Sequence, residues 1–254
     1  MWRFGKQLEI IGNEFRANGR VLISNALPDL AASRLRSSID DLTERKLWYQ
    51  AIHGDGRFLD SDNIKNPAHF SYRMDKFPVA NIQLPQLLGG ALGDSRRKSY
   101  QGVLPIGKVP ERELPEDHPI RDFGRLINSR DTASLMSCIA GFPLPSNGAN
   151  CFLSRFMAGD YLASHDDGLT EGGGRRIAFV YSLTKHWLPH WGGHTVFLPQ
   201  REGSLAETVL PTFNSLLLFS VPVPHLVTAV AGNCFQARYS FTGWFHANEF
   251  TIFD

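Results

Sequence analysis

The sequence predicts a mainly β fold with flanking helices, and three observations carry that expectation. From Asn150 onward, short runs rich in apolar and β-branched residues alternate with turn residues. Upstream, two stretches instead show the three-to-four-residue apolar spacing of amphipathic helices. No polar linker divides the two regions, so residues 1–254 read as one domain in which 1–149 support a core at 150–246. Seven short strands in about 100 residues fit a sandwich or barrel of jelly-roll or cupin type.

In chain order, residues 7–25 read as strand material, firmest at Val21-Leu22-Ile23. Pro28 then opens a helical pattern to about Leu47, with Leu30, Leu35, Ile39 and Leu42 assigned to one face. From Gly54 to Pro119 the chain is rich in Gly, Pro and charge and includes Ser95-Arg96-Arg97-Lys98. It reads as long loops with one strand near Val79–Leu84. A second helical region runs from Pro119 to about Ala140, broken near Asn128–Asp131, with Ile120, Phe123, Leu126 and Ile127 apolar. The strand candidates that follow are Cys151–Met157, Tyr161–His165, Arg176–Leu183, His194–Leu198, Ser215–Ser220, His225–Val230 and Phe235–Phe245. Gly159-Asp160, Gly172-Gly173-Gly174, Gly192-Gly193 and Gly232-Asn233 fall between them as turns.

Composition narrows the function classes. The chain is 43% hydrophobic with a formal net charge of +1, which points away from nucleic acid and anionic membranes and leaves a small-molecule substrate. Three cysteines, Cys138, Cys151 and Cys234, form no Cys-x-x-Cys pair and fit a reducing, cytoplasmic compartment. The N-terminus lacks the apolar run of a signal peptide, and Pro222, Pro224 and His225 interrupt the greasiest stretch, Ser215–Val230. Oligomeric state is not encoded in any of these features.

Chemistry concentrates near the C-terminus. Two imidazoles and a carboxylate, His165, Asp167 and His225, make the ligand set of a mononuclear non-haem iron(II) site. Residues two apart on a strand share a face, so His165 and Asp167 can grip one ion from a single strand, while Asp166 points away. His225 sits among apolar neighbours, where an unpaired imidazole costs free energy. His186, His190 and His194 recur at four-residue spacing, but Pro189 and Gly192-Gly193 argue against a helix there, and they read as exposed loop histidines. Arg238, Ser240, Thr242 and Trp244 share one strand face, and Tyr239, Phe241 and Phe245 share the other. The first face reads as a cavity wall, where a buried guanidinium needs an anion.

These residues and their surroundings resemble the iron(II)/2-oxoglutarate-dependent oxygenases, in the prolyl-hydroxylase-like branch. The similar stretches are Ala158–Leu162 before His165-Asp166-Asp167, Arg176–Leu183, Trp187–Gly193, Leu217–Phe219, Pro224-His225 and Arg238–Phe245, with Gly19–Ile23 as the lead-in. Residues 54–118 match nothing in that pattern. The resemblance implies a distorted double-stranded β-helix, Fe(II) held by His165, Asp167 and His225, and 2-oxoglutarate held by Arg238 with Ser240. A tyrosine that contacts the co-substrate in some relatives falls at Ser182 here, with Tyr181 on the opposite face, and His194 replaces an acidic residue. The implied chemistry consumes O2 and 2-oxoglutarate and hydroxylates an unactivated C–H bond, with desaturation or ring closure as variants. Asp167 separates the chain from halogenases, which carry a small residue there.

For the substrate, a small polar metabolite such as an amino acid stands beside a residue, such as prolyl, within a protein. Trp244 is placed on the cavity wall near the metal, and Arg73, Lys76 and Arg121 are candidate anchors for a substrate carboxylate. A cupin-type metal dioxygenase that does not use 2-oxoglutarate explains the barrel and ligands but leaves Arg238 without a partner. A sensor that has lost turnover predicts a lost ligand, and none is lost.

Overall fold

The computed structural model describes residues 1–55, 70–82, 98–103, 110–168, 174–199, 201 and 203–249, without the side chains of 50–55, 70–73, 98–103 and 110–111. Among the described residues the sheet contains 12 strands, every pair antiparallel. They are β1 (Arg20–Ser24), β2 (Tyr49–Asp55), β3 (Phe70–Ala80), β4 (Lys98–Val103), β5 (Ala149–Phe156) and β6 (Tyr161–His165). The remainder are β7 (Arg175–Ser182), β8 (Thr195–Phe197), β9 (Glu207–Val209), β10 (Ser215–Ser220), β11 (His225–Val227) and β12 (Arg238–His246). The strand order is β1-β10-β7-β12-β5-β3-β6-β11-β8-β9, with β2 paired to β3 and β4 paired to β2.

The ladder folds back on itself. Residues Asp75–Ala80 of β3 pair with β5, whereas Tyr72 and Arg73 pair with β6, so β3 joins a larger row to a smaller one. The two ends of the ladder meet where Arg20 of β1 donates through Nε to Glu207 of β9 at 2.6 Å. The Arg20 guanidinium also lies 4.7 Å from the ring centre of Phe197 in β8. Within 149–246 this interleaving of β5 to β12 is the double-stranded β-helix expected from the resemblance.

Helices cover the outer face of the larger row: α1 (Leu8–Asn18), α2 (Asp29–Glu44), α3 (Pro119–Ile127) and α4 (Arg130–Ala140). None of the described helices is long and apolar enough to cross a membrane. The break between α3 and α4 has a local cause. The chain turns at Ser129, whose Oγ accepts from Thr132 N–H at 3.2 Å as an N-cap. Phe123 of α3 lies 4.1 Å from Phe241 of β12 and 5.4 Å from Tyr181 of β7, ring centre to ring centre. Each such fully buried aromatic contributes about 1.5–3 kcal/mol. The face of β12 that reads as wholly aromatic, Tyr239, Phe241 and Phe245, is indeed buried in this helix-facing core.

Three expectations are corrected. Residues 8–18, read as strand material, form α1. Ile11 and Phe15, four apart, are buried, and Gly19 ends the helix with φ 70° and its N–H bonded to the Phe15 carbonyl at 2.7 Å. Packing on α4 overrides the weak helix propensity of Ile10, Ile11 and Gly12. Arg16 fixes that packing by donating to the Cys138 and Ile139 carbonyls at the end of α4, both at 3.0 Å. Second, Leu30 is 75% exposed, and Ala32, Leu35, Ile39 and Leu42 form the buried face of α2. Five residues before Leu35 is a turn and a half of helix, which points Leu30 to solvent.

Third, the region read as loops from Gly54 to Pro119 contains most of a three-stranded antiparallel unit with β2 between β3 and β4, although the Ser95-Arg96-Arg97 part lies outside the described residues. Charged residues hid β3. Asp75 accepts two hydrogen bonds from Arg155 of β5, at 2.9 and 2.6 Å, so its carboxylate is satisfied within the sheet. Pro78 is tolerated next to a register shift between Pro78 and Ala80. Strand β9 was not expected at all, being only three residues long.

Asn214 ties the layers together. Its side chain accepts from Leu27 N–H (3.0 Å) and Tyr181 Oη–H (2.9 Å) and donates to the Leu27 carbonyl (2.8 Å), while 1% exposed. Asn214→Ala strands those partners away from water. It is expected to lower unfolding free energy by about 2–4 kcal/mol in a denaturant titration. A loss under about 0.5 kcal/mol would show that the bridge is dispensable.

Candidate metal centre

The register of β6 and β11 places His165 directly opposite His225, with ring centres 4.2 Å apart. Both imidazoles are oriented by the same device. His165 Nδ1–H donates to the carbonyl of Ala163 (3.0 Å) and His225 Nδ1–H to that of Val223 (2.8 Å), each two residues back. A carbonyl only accepts, so in the neutral form both imidazoles carry their lone pair on Nε2, the tautomer a metal needs. Both point at Asp167: Oδ1 is 3.3 Å from His165 Nε2 and Oδ2 is 3.5 Å from His225 Nε2. One donor atom from each of the three side chains lies within 4.8 Å of the other two.

Asp167 does not arrive by strand alternation. β6 ends at His165, and Asp167 takes φ 61°, the left-handed region that Asp adopts more readily than most residues. The turn is braced by Gly168 N–H donating to Asp166 Oδ1 (2.9 Å) and by Val223 N–H donating to the Asp166 carbonyl (3.0 Å). Asp166 therefore faces outward and Asp167 inward, as expected, although by a different backbone route. Burial opposes the Asp167 charge, but hydrogen bonding and charge from His165, helped by His225 and Arg175, hold its carboxyl below the ordinary range. Burial likewise opposes the His165 cation, yet Asp167 outweighs it and raises the imidazole. His225 is lowered by burial and by the neighbouring His165. Two nitrogen donors and one ionised carboxylate on one side of a point fit a non-haem Fe(II) ion with open positions opposite.

Arg238 starts β12, is 4% exposed and lies over the Phe156 ring at 5.0 Å. Its Nη2 donates to Thr195 Oγ1 (3.2 Å), and its Nε is buried without a partner. Among the described residues no carboxylate lies within ion-pair distance of Arg238, and burial lowers its pKa to about 10, so it stays cationic at neutral pH. A buried guanidinium without a counter-charge is the chemistry that receives an anion. Strand pairing then sets a polar row across the wall, Ser182, Ser240, Ser154 and Lys76. Ser154 Oγ and Ser240 Oγ are 2.9 Å apart.

The candidate substrate anchors separate. Lys76 is buried in the barrel, with Nζ 4.8 Å from the Phe152 ring centre. Burial, and then the Arg175 charge, lower it to about 7. Trp244 packs on Phe152 at 6.1 Å, on the same wall. Arg121 lies on α3, paired with Glu116 at 3.2 Å beside Phe77 and Leu114. Phe77 is one residue from Lys76 and belongs to the helix-facing core, so the structure places Arg121 across the sheet from the triad. The Arg73 side chain lies outside the described residues.

Three groups escaped the sequence reading. Arg175 donates through Nη1 to the Asp167 carbonyl (3.2 Å) and stacks on Trp244 at 3.7 Å. Thr195 holds Arg238, and half-buried His194 is lowered by burial and by the Arg238 charge, whereas His186 and His190 are exposed as expected. Arginine at the end of a glycine run, and the residues after Gly192-Gly193, were the available signals. Gly192 itself is obligatory: a Cβ there would lie 2.1 Å from the Ala229 carbonyl oxygen, at φ 67°.

Comparison with known proteins agrees with this geometry. Residues 151–246 match the family model described as the 2OG-Fe(II) oxygenase superfamily. Those residues are therefore similar to the 2OG-Fe(II) oxygenases, and they are the ones that carry the triad and Arg238. The match and the His-Asp-His cluster together support an enzyme of the Fe(II)- and 2-oxoglutarate-dependent oxygenase type, which uses O2 as its other co-substrate. Among solved structures it is similar to a Pseudomonas putida prolyl-4-hydroxylase (17% identity, 95% of this chain and 99% of that one, TM-score 0.57). It is also similar to a Trichoplax adhaerens prolyl hydroxylase in complex with a hypoxia-inducible-factor peptide fragment (18%, 95% and 90%, TM-score 0.61). A third is the α-ketoglutarate-dependent epimerase SnoN from nogalamycin biosynthesis (15%, 94% and 82%, TM-score 0.54). At these identities the likeness is one of fold. No curated protein sequence matches the chain.

Lys76 gives the fold a pH dependence of definite sign. Its pKa is about 7 in the folded chain against 10.5 ordinarily, so between those values the unfolded chain holds a proton that the folded chain lacks. Stability from this group therefore rises with pH across that window, and below pH 7 the burial cost is present in full. Lys76→Met is expected to raise Tm at pH 6 by about 2–4 °C for each kcal/mol relieved, a gain that shrinks toward pH 10. Parallel Tm–pH curves for the two proteins would show that Lys76 keeps an ordinary pKa.

Proposed function

We propose that the chain hydroxylates an unactivated C–H bond of a small polar metabolite, such as an amino acid or a derivative of one. In this reading His165 Nε2, Asp167 and His225 Nε2 hold Fe(II), and Arg238 with Ser240 holds the far carboxylate of 2-oxoglutarate. The observation that supports it most directly is the pairing of a three-donor cluster with a buried guanidinium that has no counter-ion among the described residues. When bound, Fe(II) and 2-oxoglutarate supply the O2-dependent oxidation that converts C–H to C–OH.

The protein's part is placement. The Nδ1–carbonyl bonds fix both imidazole planes before metal arrives, so little ordering remains to be done at binding. Thr195 orients the Arg238 fork, and the Phe156 face beneath it excludes water, which strengthens the attraction to a carboxylate. Ser182 leaves room where a tyrosine stands in some relatives, and Ser240 with Ser154 lines the wall in its place. A cupin-type enzyme that does not use 2-oxoglutarate leaves Arg238 without a ligand. A protein-bound residue is the second reading, favoured by the likeness to a prolyl hydroxylase solved with a peptide.

Anaerobic Fe(II) and 2-oxoglutarate added to the apo-protein are expected to produce the metal-to-ligand absorption band of the chelate. With O2, labelled 2-oxoglutarate should yield succinate. Absence of both would end the oxygenase reading for this chain. His225→Ala is expected to lose iron retention and turnover while keeping its far-ultraviolet circular dichroism. Arg238→Ala is expected to weaken 2-oxoglutarate at least about tenfold with Fe(II) affinity preserved, because only the co-substrate loses a charge-assisted pair. Equal loss of both would place the carboxylate elsewhere.

A further inference from the structure

The reading above leaves three polar groups in the barrel without a task, and they face one space beside Asp167. Arg175 lies over Trp244, with its Nη1 directed to the Asp167 carbonyl. The other edge of its guanidinium is unused: Nε is buried without a partner, and Nη2 makes no hydrogen bond among the described residues. That Nε–Nη2 edge carries the two parallel donors that receive a carboxylate in bidentate form. Trp244 Nε1, on the ring beneath, is likewise buried and unpartnered. The Trp244 and Phe152 rings, 6.1 Å apart, link Arg175 to Lys76, whose Nζ sits 4.8 Å from the Phe152 centre. Lys76 feels the charges of both Arg175 and Asp167.

Charge balance makes the same point. The Arg175 guanidinium, the Asp167 carboxylate 3.9 Å from it that is assigned to the metal, and the buried Lys76 amine border this space. A dipositive ion held by Asp167 would tip the local charge positive. Low-dielectric walls raise the cost of such an excess and favour a ligand of opposite sign. A neutral peptide carbonyl could accept one hydrogen bond from Arg175, but it would not offset the charge.

We propose that Arg175, Trp244 and Lys76 form a subsite for a carboxylate of the substrate, so that the molecule oxidised is a small free acid, such as an unblocked amino acid, rather than a residue within a polypeptide. This rests on the oxygenase reading of the triad. The carboxylate occupies the Nε–Nη2 edge of Arg175 and accepts from Trp244 Nε1, with Lys76 completing the charge. Because Arg175 also touches Asp167, a carboxylate held there brings its neighbouring carbons beside the triad.

The test is calorimetric titration of the anaerobic Fe(II)- and 2-oxoglutarate-loaded protein with L-proline, L-leucine, L-glutamate and L-lysine, each paired with its α-amide. At least one free acid is expected to bind, with its amide weaker by about tenfold or more, the loss that goes with a charge-assisted bidentate pair. Arg175→Lys, which removes the fork but keeps the charge, and Lys76→Met are each expected to erase most of that discrimination. Amides that bind as tightly as acids would overturn the subsite and favour a peptide substrate. Binding by none of the acids, or unchanged acid affinity in both variants, would overturn it too. Lys76→Met decides the matter should Arg175→Lys also weaken Fe(II). Fe(II) and 2-oxoglutarate affinities are measured in the same samples. Failure of those two in the unsubstituted protein counts against the triad, whereas their retention without acid–amide discrimination counts against the subsite alone.

Discussion

The pairing of β6 with β11 sets His165 opposite His225, and every other part of the site is arranged around that register. A slip of one residue would turn an imidazole from the interior to the outer face. Several contacts resist it. β11 is held between β6 and β8, His225 pairs with Phe197 as well as His165, and Phe219 of β10 meets the His225 ring edge-on at 4.9 Å. Val223, which accepts from His225 Nδ1, also donates its N–H to the Asp166 carbonyl. The segment that orients one histidine therefore also fixes the turn that delivers Asp167.

The two faces of β12 divide the work of the molecule. Outward, Tyr239, Phe241 and Phe245 join the helix-facing core with Phe123, Tyr181 and Phe179, where burial is nearly all apolar and stabilising. Inward, the same strand presents Arg238, Ser240, Thr242 and Trp244, and with its neighbours it contributes three buried donor atoms without partners: Arg238 Nε, Arg175 Nε and Trp244 Nε1. Each such donor costs about 1–3 kcal/mol in a folded protein. A sheet that stabilises through one face and accepts that cost on the other is what a binding chamber requires, and local physical rules are broken where function is expected to lie.

Legibility followed the same division. The strands after Asn150 were readable because short apolar runs alternate with glycine-rich turns, and the donor residues because His and Asp sit at ligand spacing in apolar surroundings. Asp167 faces inward for a reason other than the alternation read from the sequence, since a left-handed residue beyond the strand end aims it. Strand β3 was hidden because its charges are answered by residues far away in sequence, Arg155 for Asp75 above all. Helix α1 was hidden because its stability comes from α4, which lies more than 100 residues later in the chain. Arg175 and Thr195 gain their meaning only from what folding sets against them, Trp244 and Asp167 for one and Arg238 for the other.

The two buried arginines are not interchangeable, and Lys76 shows why. Arg238 sits on an apolar ring with a single hydroxyl for company, and its pKa of about 10 keeps its charge constant at neutral pH. It is suited to a ligand that is always dianionic. Beside Asp167, by contrast, a fixed charge, Arg175, stands near an adjustable one, since burial and Arg175 itself bring Lys76 to about 7. An anion entering there opposes both effects and draws the Lys76 proton into place, because an opposite charge nearby favours the charged form. A neutral guest gives no such return. On the proposed subsite, discrimination between an acid and its amide would come from the lysine as well as from the arginine fork, because the Arg175 charge disfavours the Lys76 proton until an anion enters.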